Sequence, residues 1–208
     1  MDSYKIKYPR TPHLPWSPGF TPDDQVKPNV DHFLNKQVIV TEKMDGENTT
    51  LYSDYMHARS VDGRHHPSRD YVKSWHSGIQ HLIPESWRVC GENMFAQHSV
   101  IYHELEHYFY LFSVWDEANT CMCYEDTLVF ADELGCATPQ VLYQGEFCEK
   151  AIRDISFDEE LCEGYVVRNT EAFHFSEFSQ NIAKFVRPNH VQTDTHWMHA
   201  QIKKNNLK

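Results

Sequence analysis

Residues 37–48 read QVIVTEKMDGEN, and the fold turns on how this stretch is arranged. The first six residues, QVIVTE, form a β-rich run. Lys43 follows at once, and Asp45-Gly46 supplies a tight-turn pair just beyond it. A lysine at the end of an apolar strand can direct its amine into a cleft. Desolvation and nearby cations there would lower its pKa from about 10.4 toward neutrality. Only the neutral amine is a nucleophile. Attack on the α-phosphate of a nucleoside triphosphate also needs a metal on the phosphates and a base slot that sets in-line geometry. Taken alone, the segment reads more readily as a surface lysine beside a hairpin turn, so the remaining residues decide.

Outward from this stretch, NTTLYS and YMHARS are further β-rich runs separated by DG and SD pairs, which predicts an antiparallel meander. Residues 68–83 read as a helix, with Ser68 as cap and Tyr71, Val72, Trp75, Ile79 and Leu82 on one apolar stripe. WRVCGENM and YFYLFSVWD read as strands, residues 124–134 as a second amphipathic helix closed by Gly135, and EGYVVR and IAKFVR as two more strands. The expected class is α+β, with antiparallel sheets flanked by helices. Upstream, residues 1–36 carry Pro9, Pro12, Pro15 and Pro18, which predicts an extended strap across the body, ordered around LPWSPGF.

Bulk properties narrow the function classes. The 208 residues are 40% hydrophobic and 13% aromatic, enough for one sizeable core. No run approaches the roughly 20 apolar residues that span a bilayer, and MDSYKIKYPR lacks a signal-type apolar stretch, which predicts a soluble cytoplasmic or otherwise intracellular protein with no membrane partner. Six cysteines without a CxxC pair predict free thiols. A net charge of −11 and a pI near 5.6 argue against holding nucleic acid by bulk electrostatics. Any such contact must be local or supplied by a partner.

Six segments follow one another in a telling order: KMDG at 43–46, ARSVDGR at 58–64, CGENMFA at 90–96, YLFSVWD at 110–116, EGYVVR at 163–168 and AKFVRP at 183–188. Together they resemble the motif set of the covalent nucleotidyltransferase superfamily, which includes ATP-dependent DNA and RNA ligases and mRNA capping enzymes. Asn48, five residues after Lys43 where many DNA ligases and capping enzymes have arginine, resembles RNA ligases of the RNA-editing and phage end-repair type. The resemblance implies a nucleotidyltransferase fold around an ATP cleft, with 1–208 as one adenylyltransferase domain comprising the strap, a core at 37–188 and a short tail at 189–208.

The resemblance also implies roles. Lys43 would be the nucleophile that carries AMP, and Glu42, Asn48, Arg59, Glu92, Phe112, Glu163 and Lys184 would bind the nucleotide. Glu92 would accept from the ribose hydroxyls, Phe112 would stack on adenine, and Lys184 would contact the phosphates. Arg64 and Arg187 would touch phosphate or RNA, while Glu163 and Asp45 would hold Mg²⁺ or Mn²⁺. The implied reaction joins 5′-phosphate and 3′-hydroxyl RNA ends in RNA repair, with ATP as the nucleotide and a protein partner supplying RNA affinity. DNA ligase and capping chemistry are the alternatives, and a non-catalytic module binding nucleotide or RNA ends is a further one.

Two positions depart from the family pattern. The alternate residue of Lys184 is Val186, with Arg187 on the opposite face of a regular strand, where a second lysine is usual. Ser113 stands where an aspartate often follows the stacking aromatic. One motif competes: His103-Glu104-Leu105-Glu106-His107 satisfies HExxH, which on a helix would bind zinc as in metalloproteases. It runs straight into β-like sequence and lacks the HxxGxxH continuation.

Overall fold

The computed structural model describes residues 5–61, 65–188 and 202–208. Two antiparallel sheets organise the chain. The first has strand order β10-β8-β1-β7, built from β1 (Gln37–Glu42), β7 (Val141–Glu146), β8 (Gly164–Asn169) and β10 (Ile182–Val186). The second has order β3-β2-β4-β5-β6-β9, from β2 (Glu47–Leu51), β3 (Met56–Ala58), β4 (Arg88–Asn93), β5 (Phe109–Trp115), β6 (Thr120–Cys121) and β9 (Phe173–His174). Helices α1 (Asp70–Ile79), α2 (Tyr124–Leu134), α3 (Glu149–Arg153) and α4 (Phe178–Asn181) complete the α+β architecture.

The expected three-strand meander does not form. β1 pairs with β7 and β8, whereas β2 pairs with β3 and β4, so only β2 and β3 make the hairpin. The core that each strand's side chains face explains the split. Val38 and Val40 enter a core with Leu14, Phe33, Tyr165 and Val167, while Leu51 enters a second core with Val72, Val89 and Leu111. Two cores need two sheets, and KMDG is the crossover between them. Gly46 is obligatory there, because a Cβ would stand 2.5 Å from the Asn93 carbonyl oxygen and 2.7 Å from the Met94 sulfur.

The helix expected over 68–83 begins later. Residues 67–69 form a 3-10 turn, α1 starts at Asp70, and the buried Ser68 hydroxyl bonds the His66 ring at 2.7 Å instead of capping. Val72 is fully buried, and Tyr71, Trp75 and Ile79 pack on the second core, but Leu82 is exposed beyond the helix end. α2 matches its expected bounds and ends on Gly135 at φ 65°, the left-handed conformation that satisfies the last carbonyls.

Residues 5–36 do run as a strap. It adds a partner to the outer edge of β10: Leu14 N–H donates to the Lys184 carbonyl, Lys184 N–H to that of Pro12, and Gly19 N–H to that of Val186. Leu14 is fully buried, and Ser17 Oγ accepts from Val186 N–H at 2.9 Å. This covers an edge that would otherwise carry unpaired backbone groups. Residues 103–107 are irregular, not helical; His107 bonds its Nδ1 to Phe109 and packs on Tyr71 and Trp75. HExxH metal chemistry needs both histidines on one helix face, so the metalloprotease reading is withdrawn. Among the described residues, all six cysteines are free, and no helix is long and apolar enough to cross a membrane.

Candidate active site

A cleft of about 550 Å³ opens between the two sheets, within the size range of nucleotide-sized ligands. Its floor is one face of the first sheet. Register places Ile39 and Ile182 on either side of Arg168, and Thr41 and Lys184 on either side of Val166, and all six line the cleft. The facing wall carries Asn48 from β2, directly opposite Glu92 from β4, and Phe112 from β5. The strap closes the side with Tyr8, Arg10, Thr11, Asp23 and Asp24.

Lys43 stands where the chain passes from floor to wall. Its N–H donates to the Gly164 carbonyl at 2.9 Å, which extends the β1–β8 pairing by one residue and sets the side chain beside Glu163. The Nζ–Oε2 distance is 2.5 Å, with Glu163 only 2% exposed. Gly164, at φ 151°, lets β8 and β10 approach closely at this end of the sheet, since a Cβ would lie 2.0 Å from the Phe185 carbonyl oxygen.

The charge state of Lys43 differs from the sequence expectation. Burial pulls its pKa down, but Glu163, Glu92 and Asp45 together outweigh that, and the net shift is upward. The surroundings expected to be cationic are carboxylates, so the chain by itself keeps the amine protonated. The same crowding appears at Glu92, whose pKa burial pushes up to about 8, with Glu163 and Asp45 adding and Lys43 opposing. Lys184 moves the other way, down to about 8, through burial and the neighbouring Lys43 charge, despite Asp24 Oδ1 at 3.9 Å.

Lys43, Glu42, Asp45, Asn48, Arg59, Glu92, Phe112, Glu163 and Lys184 are all brought to this one cleft. Asn48 keeps a buried Oδ1 without a hydrogen-bond partner, an acceptor waiting for a donor. Phe112 meets Tyr8 edge-on, with ring centroids 5.2 Å apart. Asp45 Oδ2 accepts from Val100 N–H at 2.8 Å, so that oxygen serves the loop. Arg187 is not among the lining residues; β10 pairs without a bulge, and Val186 is 1% exposed. Arg64 lies outside the described residues. Ser113 also lies off the cleft, accepting from Trp115 Nε1–H at 3.0 Å.

Sequence reasoning missed Tyr8, Arg10 and Asp24, for which no local signal exists: they reach the cleft only because the strap docks on β10. It also missed Arg69, paired to Glu47 at 2.8 Å through Nε. Arg168 was within reach, since it shares a strand face with Val166; its guanidinium donates to the Phe112 and Met122 carbonyls. No group of three potential ligands forms a metal cluster among the described residues. The donor set suits a hard divalent cation shared with phosphate oxygens, which needs only one or two carboxylates, and Glu163 and Glu92 offer these.

Two antiparallel sheets around such a cleft are the fold this chain shares with solved RNA ligase structures. The chain belongs to the RNA ligase family, whose model matches residues 36–186. Among solved structures it is similar to a lysine-to-alanine mutant of a Naegleria gruberi RNA ligase with ATP and Mn, at 17% identity and TM-score 0.54, covering 76% of this chain and 52% of that one. An archaeal ATP-dependent RNA ligase gives 17% identity and TM-score 0.56, over 81% and 48% of the respective chains. The chain thus spans about half the length of these structures. No curated protein matched it by sequence.

Proposed function

We propose that this chain is the catalytic core of an ATP-dependent RNA ligase, with Lys43 as nucleophile. One observation carries the reading: residues from widely separated segments of the chain converge on Lys43 and the Glu163 carboxylate 2.5 Å from its amine. In the first step a Lys43 Nζ–P bond forms at the α-phosphate, the α–β phosphoanhydride P–O bond breaks, and pyrophosphate leaves. AMP then passes to an RNA 5′-phosphate, and a 3′-hydroxyl displaces it to form the phosphodiester. Phe112 and Val166 offer apolar faces for the base, Asn48 and Glu92 polar contacts for the sugar, and Lys184, Arg59 and Arg10 charge for the phosphates.

Glu163, beside Glu92, would hold a Mg²⁺ or Mn²⁺ ion, which neutralises phosphate charge and favours the neutral amine. Asp45, with one oxygen given to Val100, keeps only a minor part in that role. The acidic balance of −11 supports pairing with a protein that supplies RNA affinity, in an RNA-repair setting.

The test is incubation with α-labelled ATP or GTP and Mg²⁺, then mapping of acid-labile label on the denatured chain. Label from ATP on Lys43, absent in Lys43→Ala, is the expected result, and that variant should still seal pre-adenylylated RNA. Label from GTP alone would redirect the reading to capping chemistry. Absence of label with both would leave a nucleotide- or RNA-end-binding module, to which the single β10 lysine would then point.

A further inference from the structure

Between β4 and β5, residues 94–108 carry almost no regular secondary structure, yet they hold the nucleophile loop in place. Met44 packs against Met94, Leu105, Tyr108 and Tyr110. Asp45 N–H donates to Tyr102 Oη at 3.1 Å, and Asp45 Oδ2 accepts from Val100 N–H at 2.8 Å. Lys43 is two residues from this anchor. An irregular segment opens readily unless its backbone groups find partners elsewhere, so what fastens residues 94–108 also governs where the amine sits.

The fastening comes from residues 202–208, about 100 positions away in sequence. Asn205 is fully buried. Its Nδ2 donates to the Met94 carbonyl at 2.8 Å and that of Ala96 at 3.3 Å, while its Oδ1 accepts from Tyr102 N–H at 2.9 Å. Its backbone N–H reaches the Phe95 carbonyl at 2.9 Å, and its carbonyl accepts from the Tyr108 hydroxyl at 2.8 Å. Both amide donors and the acceptor are used, so one side chain joins three points of the loop. Asn206 and Leu105 extend the seam by pairing N–H to Tyr102 and Asn206 carbonyls, respectively. Lys208 adds an exposed ion pair to Glu106 at the end of the same seam, and its N–H donates to the Leu105 carbonyl.

We infer that Asn205 is a positioning residue for Lys43, acting through Tyr102 and Asp45. The inference rests on the ligase reading above. In-line attack tolerates little misplacement, and a shift of about 1 Å costs on the order of a hundredfold in rate. Loss of the Asn205 clamp acts on the rate of lysyl-adenylate formation and not on ATP affinity, because none of its partners lies on the base or phosphate face of the cleft.

The experiment is single-turnover labelling of the full chain with α-labelled ATP and Mg²⁺, comparing wild type, Asn205→Ala, Tyr102→Phe and the double variant, with melting temperatures recorded alongside. Tyr102→Phe removes the acceptor for Asp45 N–H and leaves the Asn205 contacts intact. The expected result is a loss of about tenfold or more in rate at saturating ATP for each single variant. Half-saturating ATP should stay within about twofold, and the double variant should be no slower than the worse single one. A folded Asn205→Ala chain that labels at the wild-type rate, a loss confined to ATP affinity, or losses that multiply in the double variant would overturn the inference. If Asn205→Ala does not fold, a wild-type rate in Tyr102→Phe overturns it alone. Wild-type protein that takes no label would bring down the ligase reading and this inference with it.

Discussion

Lys184 shows how a site residue can work against the fold that contains it. It is 12% exposed, lies near Lys43, and has only a long contact to Asp24, so its pKa falls to about 8. A lysine whose folded pKa is below its unfolded value opposes folding while it is protonated. That penalty is full below pH 8, fades between about 8 and 10.5 as the folded state gives up its proton first, and is absent above. Lys184→Met should therefore raise stability at pH 7 by about 1–3 kcal/mol, while greatly slowing self-adenylylation. Thermal melts of both proteins from pH 6.5 to 10 check this; a gain that does not shrink with rising pH would refute the charge explanation. Lys43 and Glu163 were legible as residues because their motifs are local. Their 2.5 Å contact was not, since it spans 120 positions and depends on β1 and β8 pairing in one register.

Among the elements, the strap has almost no regular secondary structure of its own and much effect. Leu14 is fully buried against Val38, Val40, Tyr165 and Val167, and the strap positions Tyr8 and Arg10 on the cleft. Leu14→Ala should cost about 2–5 kcal/mol. In urea the midpoint should fall with an unchanged slope, as for a core truncation that leaves the folded surface alike. Half-saturating ATP should rise in the same variant because the cleft wall loosens; an unchanged value in the folded protein would show that the strap is scaffold only. Strand and helix signals in this chain were dependable where β-branched residues were dense, as in QVIVTE, and where a helix had a clear stop, as at Gly135 after α2. They failed where the question was which sheet a strand joins, because β1 and β2 look alike as strings and differ only in the core each one fills.

Across the molecule, a net charge of −11 surrounds a cleft lined by Arg10, Lys43, Arg59, Arg69, Arg168 and Lys184. Arg10, Lys43, Arg69, Arg168 and Lys184 already have partners within the chain. Few cations remain for an RNA backbone, so binding of a nicked RNA by this chain should be weak. Between about 50 and 200 mM salt, log K should fall with a slope of about −1 to −3, the release of a few counterions. Fluorescence titration of a 5′-phosphorylated nick measures it. Tight binding insensitive to salt would contradict the proposal that a partner supplies RNA affinity.

Short runs of the amino-acid sequence were enough for the α+β class and for the order of the strands that bear the motifs, because periodicity and turn chemistry act locally in such runs. The proposed roles of the central lysine and carboxylates came from the resemblance of the ordered motif set to the nucleotidyltransferases. The three-dimensional arrangement was needed for the two-sheet crossover at KMDG, the raised pKa of Lys43 among carboxylates, the placement of Arg187 off the cleft lining and the hydrogen bonds of Asn205 to residues 94–102. Each of these is a meeting of groups far apart in sequence. Such meetings are set by which apolar faces share a core and by which backbone groups must find partners, and neither is written in any single stretch of the chain.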